Sequence, residues 1–210
     1  MRKIIEKHSL HWSNKYFAYS TIIGLVLFIA SLYLNNAASD YAWRSASSAV
    51  NDIILDNIPI INVNFIVTTG AFTFFIFSAL AGLIHPKKLP FLLKTAALFI
   101  VIRSAFVMLT HLGPLSHSYI DGTKYFSSYN VGTDYFFSGH TGLPFLVSLV
   151  FWDHRWIRYT ALAASAVFGV SVLLGHLHYS IDVFAAFFIT YTIFIIAQKI
   201  FPKDYKISSG

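Results

Sequence analysis

The chain has 210 residues, 56% of them hydrophobic and only 11% charged, with a formal net charge of +6. A soluble domain carries roughly 25% charged residues, so this composition excludes an ordinary soluble enzyme, a disordered chain and a nucleic-acid-binding module. The absence of cysteine excludes a disulfide scaffold and a Cys-ligated zinc site.

A transmembrane helix needs about 20 predominantly apolar residues. In chain order such stretches run over 17–34, 61–84, 90–112, 139–152, 157–175 and 181–201. The first is longer than the 7–15-residue core of a signal peptide, which predicts a retained helix rather than a cleaved leader. Between the first and second spans, residues 37–58 hold Asp40, Trp43, Arg44, Asp52 and Asp56 before Pro59. Loose helical spacing of their apolar residues predicts a short amphipathic helix at the interface, with a solvated loop as the alternative. The fourth span is the shortest, interrupted by Pro144 and ended by Trp152-Asp153. The fold class expected is all-α: a polytopic, six-transmembrane-helix bundle forming one domain over 1–210.

Charge predicts how such a bundle is oriented. Arg2, Lys3, Lys7, Lys15, Lys87, Lys88, Lys94, Arg155, Arg158, Lys199, Lys203 and Lys206 fall on one side if the spans alternate. The opposite loops hold Arg44 and Lys124, together with Asp40, Asp52, Asp56, Asp121 and Asp134. The positive-inside rule then predicts cytoplasmic termini and acidic loops on the periplasmic, extracellular or lumenal face. The basic residues thus serve orientation, and no nucleic-acid partner is expected.

Ionisable groups at membrane depth are functional candidates. One cluster is Asp134-Tyr135-Phe136-Phe137-Ser138-Gly139-His140-Thr141, leading into the fourth span. A second is Gly175-His176-Leu177-His178-Tyr179-Ser180-Ile181-Asp182, joining the fifth and sixth. Arg103 lies inside the third span, with Thr110 and His111 near its outer end. His178 and Asp182 are four apart and share a face of one helical turn. A carboxylate on one imidazole nitrogen raises the basicity of the other, which makes His178 either a nucleophile toward phosphorus or a general base. Ser138-Gly139-His140 at a helix start is either a simple cap or an anion site, where His140 protonates a leaving alkoxide. Arg103 either binds phosphate oxygens or pairs with a carboxylate. Asp134, His176 and Tyr179 are further binding candidates, with loop solvation, a satisfied interface histidine and interfacial anchoring as their alternatives.

Phe137-Ser138-Gly139-His140-Thr141, followed by His176-x-His178-Tyr179-Ser180-Ile181-Asp182-Val183, resembles the sphingomyelin synthase family, within the wider type-2 phosphatidic acid phosphatase superfamily. Asp134 stands four before the Ser, as in the family, and Arg103 with Thr110 resembles its third-helix Arg and Thr. The similarity covers roughly 90–195. It implies that His178 attacks phosphorus, Asp182 supports it, and His140 handles the proton on the leaving and incoming alcohols. It further implies Arg103, Ser138, Gly139, Asp134, His176 and Tyr179 around the substrate, with no metal or other cofactor. The partners implied are a phospholipid donor, a lipid-alcohol acceptor such as ceramide or diacylglycerol, and the bilayer itself.

The chain also departs from its relatives. Where the general superfamily phosphatase has a Ser-Arg pair before its last His, this chain has Ser171-Val172, which favours the synthase branch. Gly132-Thr133 replaces a family Cys-Gly, and Asn57-Ile58-Pro59-Ile60 is all that remains of a proline-rich motif. Three functions stay in view: head-group transfer to a lipid alcohol, hydrolysis at the same site, and lipid binding or transport without catalysis.

Overall fold

Asn14 opens the first helix, its side-chain oxygen accepting the amides of Tyr16 and Phe17 at 2.9 and 3.4 Å. In the computed structural model, which describes residues 11–113, 115 and 135–210, this helix, α1, runs Lys15–Ser45. After a non-helical connection, α2 covers Phe65–Ile84, beginning with a π-helical turn over Phe65–Gly70. Pro86 starts a 3-10 turn that leads into α3, Leu89–Leu109. Then follow α4, Gly139–Val150, α5, Arg155–Leu174, α6, Ser180–Ile200, and α7, Pro202–Ser209. The described residues contain no strand.

Helix α3 is the central one: half of its most apolar window is buried, against 17% for α2. Along α1, Ser20, Gly24, Ser31, Ala38 and Ala42 are buried, a stripe of small residues that lets α1 lie close along α3. On its other side α3 meets α4 and α6 through Phe99, Ile100, Phe137, Leu146, Ala186 and Ile193. Gly142 makes this approach possible, because a Cβ there would lie 2.7 Å from the Phe99 ring and 2.8 Å from Thr190 Oγ1. Lys88 touches Val150 and Arg103 touches Phe137, so α3 and α4 run antiparallel. The outer faces expose Val26, Leu32, Phe72, Phe75 and Phe188. Apolar surface on that scale suits lipid rather than water, and the molecule is an integral membrane protein.

Every expected apolar stretch contains a helix, but not every one is long enough to count as a membrane span by itself. Among the described residues, five helices are long and apolar enough to cross a membrane. The remaining one, α4, has 12 residues, which at 1.5 Å each reach about 18 Å of a hydrocarbon core about 30 Å thick. The interfacial helix expected over 37–58 is corrected. Residues up to Ser45 continue α1, and the rest is non-helical except for a single turn at Leu55–Asn57. Its amides are taken by tertiary partners instead, as described below.

Two of the orienting lysines prove to be buried structural cations. Lys94 Nζ donates to Asp204 Oδ2 and to Ser20 Oγ, each at 2.7 Å. Ser20 and Tyr16 hydroxyls donate to Asp204 Oδ1 at 2.6 and 3.1 Å, and the set locks α7 onto α1 and α3. Lys88 Nζ reaches Asp153 Oδ1 at 2.5 Å and the Val150 carbonyl at 3.0 Å. There it stitches the start of α3 to the end of α4.

Candidate active site

Helix α6 begins at Ser180, with Tyr179 as its extended N-cap residue and Asp182 at its third position. From there the Asp182 carboxylate turns back, and Oδ2 accepts the Tyr179 amide at 3.1 Å and meets His178 Nδ1 at 3.1 Å. Both residues are buried, Asp182 at 1% exposure. A carboxylate only accepts, so this contact puts the imidazole proton on Nδ1 and leaves the lone pair on Nε2. The expected sharing of a face is therefore a real contact. The Tyr135 ring stands edge-on to His178, with centroids 6.1 Å apart, and packs on Tyr179.

The other histidine motif is joined to this one through the backbone. Ser138 N–H donates to the Asp182 carbonyl at 3.0 Å. The Ser138 hydroxyl accepts the Thr141 amide at 3.4 Å and so caps α4. Gly139 and His140 are the first two helical residues, placing His140 in the first turn, where free amides point outward. His140 is partly buried, its ring edge-on to Phe168 on α5. Ser165 on α5 donates its hydroxyl to the Thr141 carbonyl at 2.7 Å, which fixes this turn from the other side.

Arg103 reaches the same corner from α3. Its Nε donates to the Phe137 carbonyl at 3.1 Å, and a Cβ on Gly139 would sit 3.4 Å from that Nε. Consecutive residues Phe137 and Ser138 thus carry one bond to Arg103 and one to Asp182. Arg103, the N-terminus of α4 and the His178–Asp182 pair form one cluster. Thr110 holds the Tyr135 carbonyl at 3.3 Å, at the approach to the same loop. Phe136 takes a positive φ of 145° and stacks on Phe106, a strained turn just before the cap.

His176 also adopts a left-handed backbone, φ 51°. Its Nε2 and Asp182 Oδ1 are enclosed without a hydrogen-bond partner among the described residues. Buried polar atoms of that kind call for an explanation, and both lie within the second histidine motif. Asp134 lies outside the described residues. No group of three His, Asp or Glu side chains is arranged to hold a metal among those described.

Sequence reasoning missed two residues. Asn35, in the second half of α1, accepts Arg103 Nη1 at 3.1 Å; its one signal was an amide side chain just past the apolar stretch 17–34. Asp52, grouped with the outer-loop acids, instead bonds the start of α6, its Oδ2 accepting the Ser180 amide at 2.6 Å. Burial pushes the Asp52 carboxyl up, but the amides of Ser180, Leu55 and Ile54 outweigh that and hold it below the usual carboxylate range. Burial pushes the Tyr179 phenol up, the Val50 amide offsets part of that, and the charges of Asp182 and Asp52 add to the rise.

The cluster brings together what phosphoryl chemistry requires. There is an imidazole nitrogen with a fixed lone pair, a guanidinium and helix-start amides suited to an oxyanion, and a second imidazole. Residues 132–199 match the family model described as PAP2 superfamily C-terminal. That is about a third of the chain, and it contains α4, α5, most of α6 and both histidine motifs. The match supports the PAP2 superfamily, and with it an enzyme of the lipid phosphatase or phosphotransferase type. No curated protein and no solved structure matches the chain.

Proposed function

We propose that this protein is a lipid head-group phosphotransferase of the sphingomyelin synthase type. It moves phosphocholine or a related head group from a glycerophospholipid to a lipid alcohol such as ceramide or diacylglycerol. The observation that carries the reading is the His178–Asp182 contact of 3.1 Å through Nδ1, since it leaves Nε2 as the nucleophile. The absence of a Ser-Arg pair, Ser171-Val172 standing in its place, favours the synthase branch over a simple phosphatase.

In the first half-reaction Nε2 of His178 forms a bond to phosphorus as the bond from phosphorus to the diacylglycerol oxygen breaks. Protonated His140 gives its proton to that oxygen, and diacylglycerol leaves neutral. Asp182 balances the positive charge that develops on the His178 ring. Arg103 and the first amides of α4 stabilise the phosphoryl oxygens as phosphorus becomes five-coordinate. In the second half-reaction His140 takes the proton of the acceptor hydroxyl. The acceptor oxygen bonds to phosphorus, the bond to Nε2 breaks, and both histidines return to their starting states. Ser138, Gly139, Asp134, His176 and Tyr179 complete the substrate surroundings in this reading. The chemistry asks for no metal or cofactor.

With the six apolar stretches alternating across the membrane, twelve basic residues fall on one side against two on the other, which favours cytoplasmic termini and a site at the periplasmic, extracellular or lumenal face. A C-terminal tag reached from outside intact cells overturns that orientation.

The PAP2 match also fits hydrolysis at the same site, with water as acceptor, and one experiment separates the two. Purified protein is incubated with head-group-labelled phosphatidylcholine or phosphatidylethanolamine, with and without ceramide or diacylglycerol. Labelled lipid product that depends on the acceptor is the expected result. Release of free labelled head group without any acceptor assigns a hydrolase, and no conversion of either kind overturns the enzymatic reading.

A further inference from the structure

Of the three residues between His178 and Asp182, the first two have their amides held by a carboxylate. Tyr179 N–H donates to Asp182 Oδ2 at 3.1 Å, and Ser180 N–H donates to Asp52 Oδ2 at 2.6 Å. Asp52 lies 128 residues away in sequence and is buried, while its neighbour Ile53 is 83% exposed. The other oxygen, Oδ1, accepts the amides of Ile54 and Leu55 at 2.9 and 3.2 Å, so the carboxylate closes its own turn while gripping α6. Ser180 is the first residue of α6, where a free amide and the positive end of the helix favour an anion.

The segment that carries Asp52 is itself pinned. Tyr179 hydroxyl accepts the Val50 amide at 3.2 Å and donates to the Gly113 carbonyl at 3.0 Å. Ser47 N–H donates to the His111 carbonyl at 3.0 Å, Gly113 N–H to the Ser48 carbonyl at 3.3 Å, and Ile61 N–H to the Leu174 carbonyl at 2.8 Å. Gly113 admits no side chain, because a Cβ would run into the backbone of Ser47 and Ser48. Residues 47–61 thus form a strap tied to the ends of α3 and α5 and to the start of α6.

We propose that Asp52 is a positioning residue, which acts through the Ser180 amide to hold the His178–Asp182 pair in its reactive geometry. This rests on the phosphotransferase reading above. Asp52 does not touch the reacting atoms; its loss lets the first turn of α6 relax, so that Nδ1 and Oδ2 part and Nε2 loses its fixed direction. The consequence is a slower chemical step without weaker lipid binding.

The test uses full-length protein in lipid nanodiscs. Asp52→Asn keeps one acceptor oxygen, so one of its two sets of amides loses its partner. Its kcat should fall about tenfold or more, the scale of losing one charge-assisted hydrogen bond, with the donor KM unchanged. Amide hydrogen exchange over 178–182 should quicken by a similar factor while 186–200 stays as it was. The second variant is Asp52→Asn with Ser180→Pro, in which the remaining oxygen serves the Ile54 and Leu55 amides and no amide at 180 is left without a partner, a change that costs little stability. Proline suits the first position of a helix, and Tyr179, at φ −65° and ψ 154°, already has the conformation a following proline demands. This double variant should fold and show the same loss of kcat. A kcat within twofold of the parent in either folded variant, or a raised KM in place of a lowered kcat, overturns the proposal. So does unchanged exchange over 178–182 in Asp52→Asn, whether or not lipid is turned over. Exchange that responds in a protein with no lipid turnover would instead count against the phosphotransferase reading and leave the positioning contact standing.

Discussion

Ser138 N–H donates to the carbonyl of Asp182 at 3.0 Å, and this one bond joins two histidine motifs whose His140 and His178 lie 38 residues apart. Because the bond is between backbones, it fixes the start of α4 against the start of α6 whatever side chains surround it. Phe137, one residue earlier, is bonded to Arg103, so α3 joins the same corner. The site is therefore a meeting of two helix starts and one buried guanidinium.

Replacing Asp182 by Asn should lower head-group transfer by about 10²–10⁴-fold. The amide can present its NH2 group to Nδ1, which moves the imidazole proton to Nε2 and removes the lone pair from the attacking position. His178→Ala should abolish turnover, with lipid binding retained. Transfer assays and a labelled-lipid binding assay on the same preparations check both; turnover near the parent level in either variant contradicts the assigned roles.

His140→Ala should slow transfer on the order of 10²–10⁴-fold, the usual scale of general acid catalysis. Its defect should shrink with p-nitrophenyl phosphocholine as donor, whose leaving group departs without being protonated. If the defect is as large with that donor, His140 acts in some way other than proton delivery.

Asn35 accepts Arg103 Nη1 at 3.1 Å and so sets the angle of the guanidinium. Asn35→Leu should raise the donor KM several-fold through the lost hydrogen bond. Arg103→Lys should not restore full activity, since an ammonium lacks the planar fork. Steady-state kinetics over a range of donor concentrations in mixed micelles decides this.

Lys94 and Asp204 are a buried pair 2.7 Å apart, remote in sequence from the histidine motifs. Asp204→Ala strands a buried cation and should cost about 3–5 kcal/mol. Lys94→Met combined with Asp204→Leu should recover most of that. The thermal unfolding midpoint in detergent reports it, and equal midpoints for the single and double variants contradict it.

Acid stability follows from two carboxyls outside the spans. Asp52 and Asp153 are both held below the ordinary value of 3.8, burial being outweighed by amides in the first case and by Lys88 in the second. A carboxyl depressed on folding stabilises fully above its unfolded value and loses that contribution as pH falls through its folded value. These two should therefore contribute no loss of stability between pH 7 and 5, and a loss only below about pH 3.8. Comparing the unfolding midpoints of the parent and Asp52→Asn across this range isolates the Asp52 share.

The periodic and local features were legible in the sequence. Long apolar runs gave the helices, and the four-residue spacing of His178 and Asp182 gave a contact that exists. What escaped were pairings between distant segments, which leave no periodic trace. Asp52 finds Ser180, Asn35 finds Arg103, and Lys94 finds Asp204 only because helices pack. The loose helical spacing over 37–58 failed for a related reason. Beyond Ser45, the amides of Ser47 and Val50 bond to His111 and Tyr179, and such tertiary bonds override weak local propensity. The shortness of α4 follows from local chemistry that apolarity hides. Ser138 caps it at one end, and after Val150 the chain turns toward Asp153, whose partner is Lys88.

The most direct measurement of the central claim is to trap the covalent intermediate. Protein mixed with head-group-labelled phosphatidylcholine, without acceptor, is quenched in alkali, digested at high pH and read by tandem mass spectrometry. A phosphocholine adduct on His178 is expected, lost when ceramide is added before the quench. Labelled lipid product formed at full rate with no adduct on His178 at any time would contradict it.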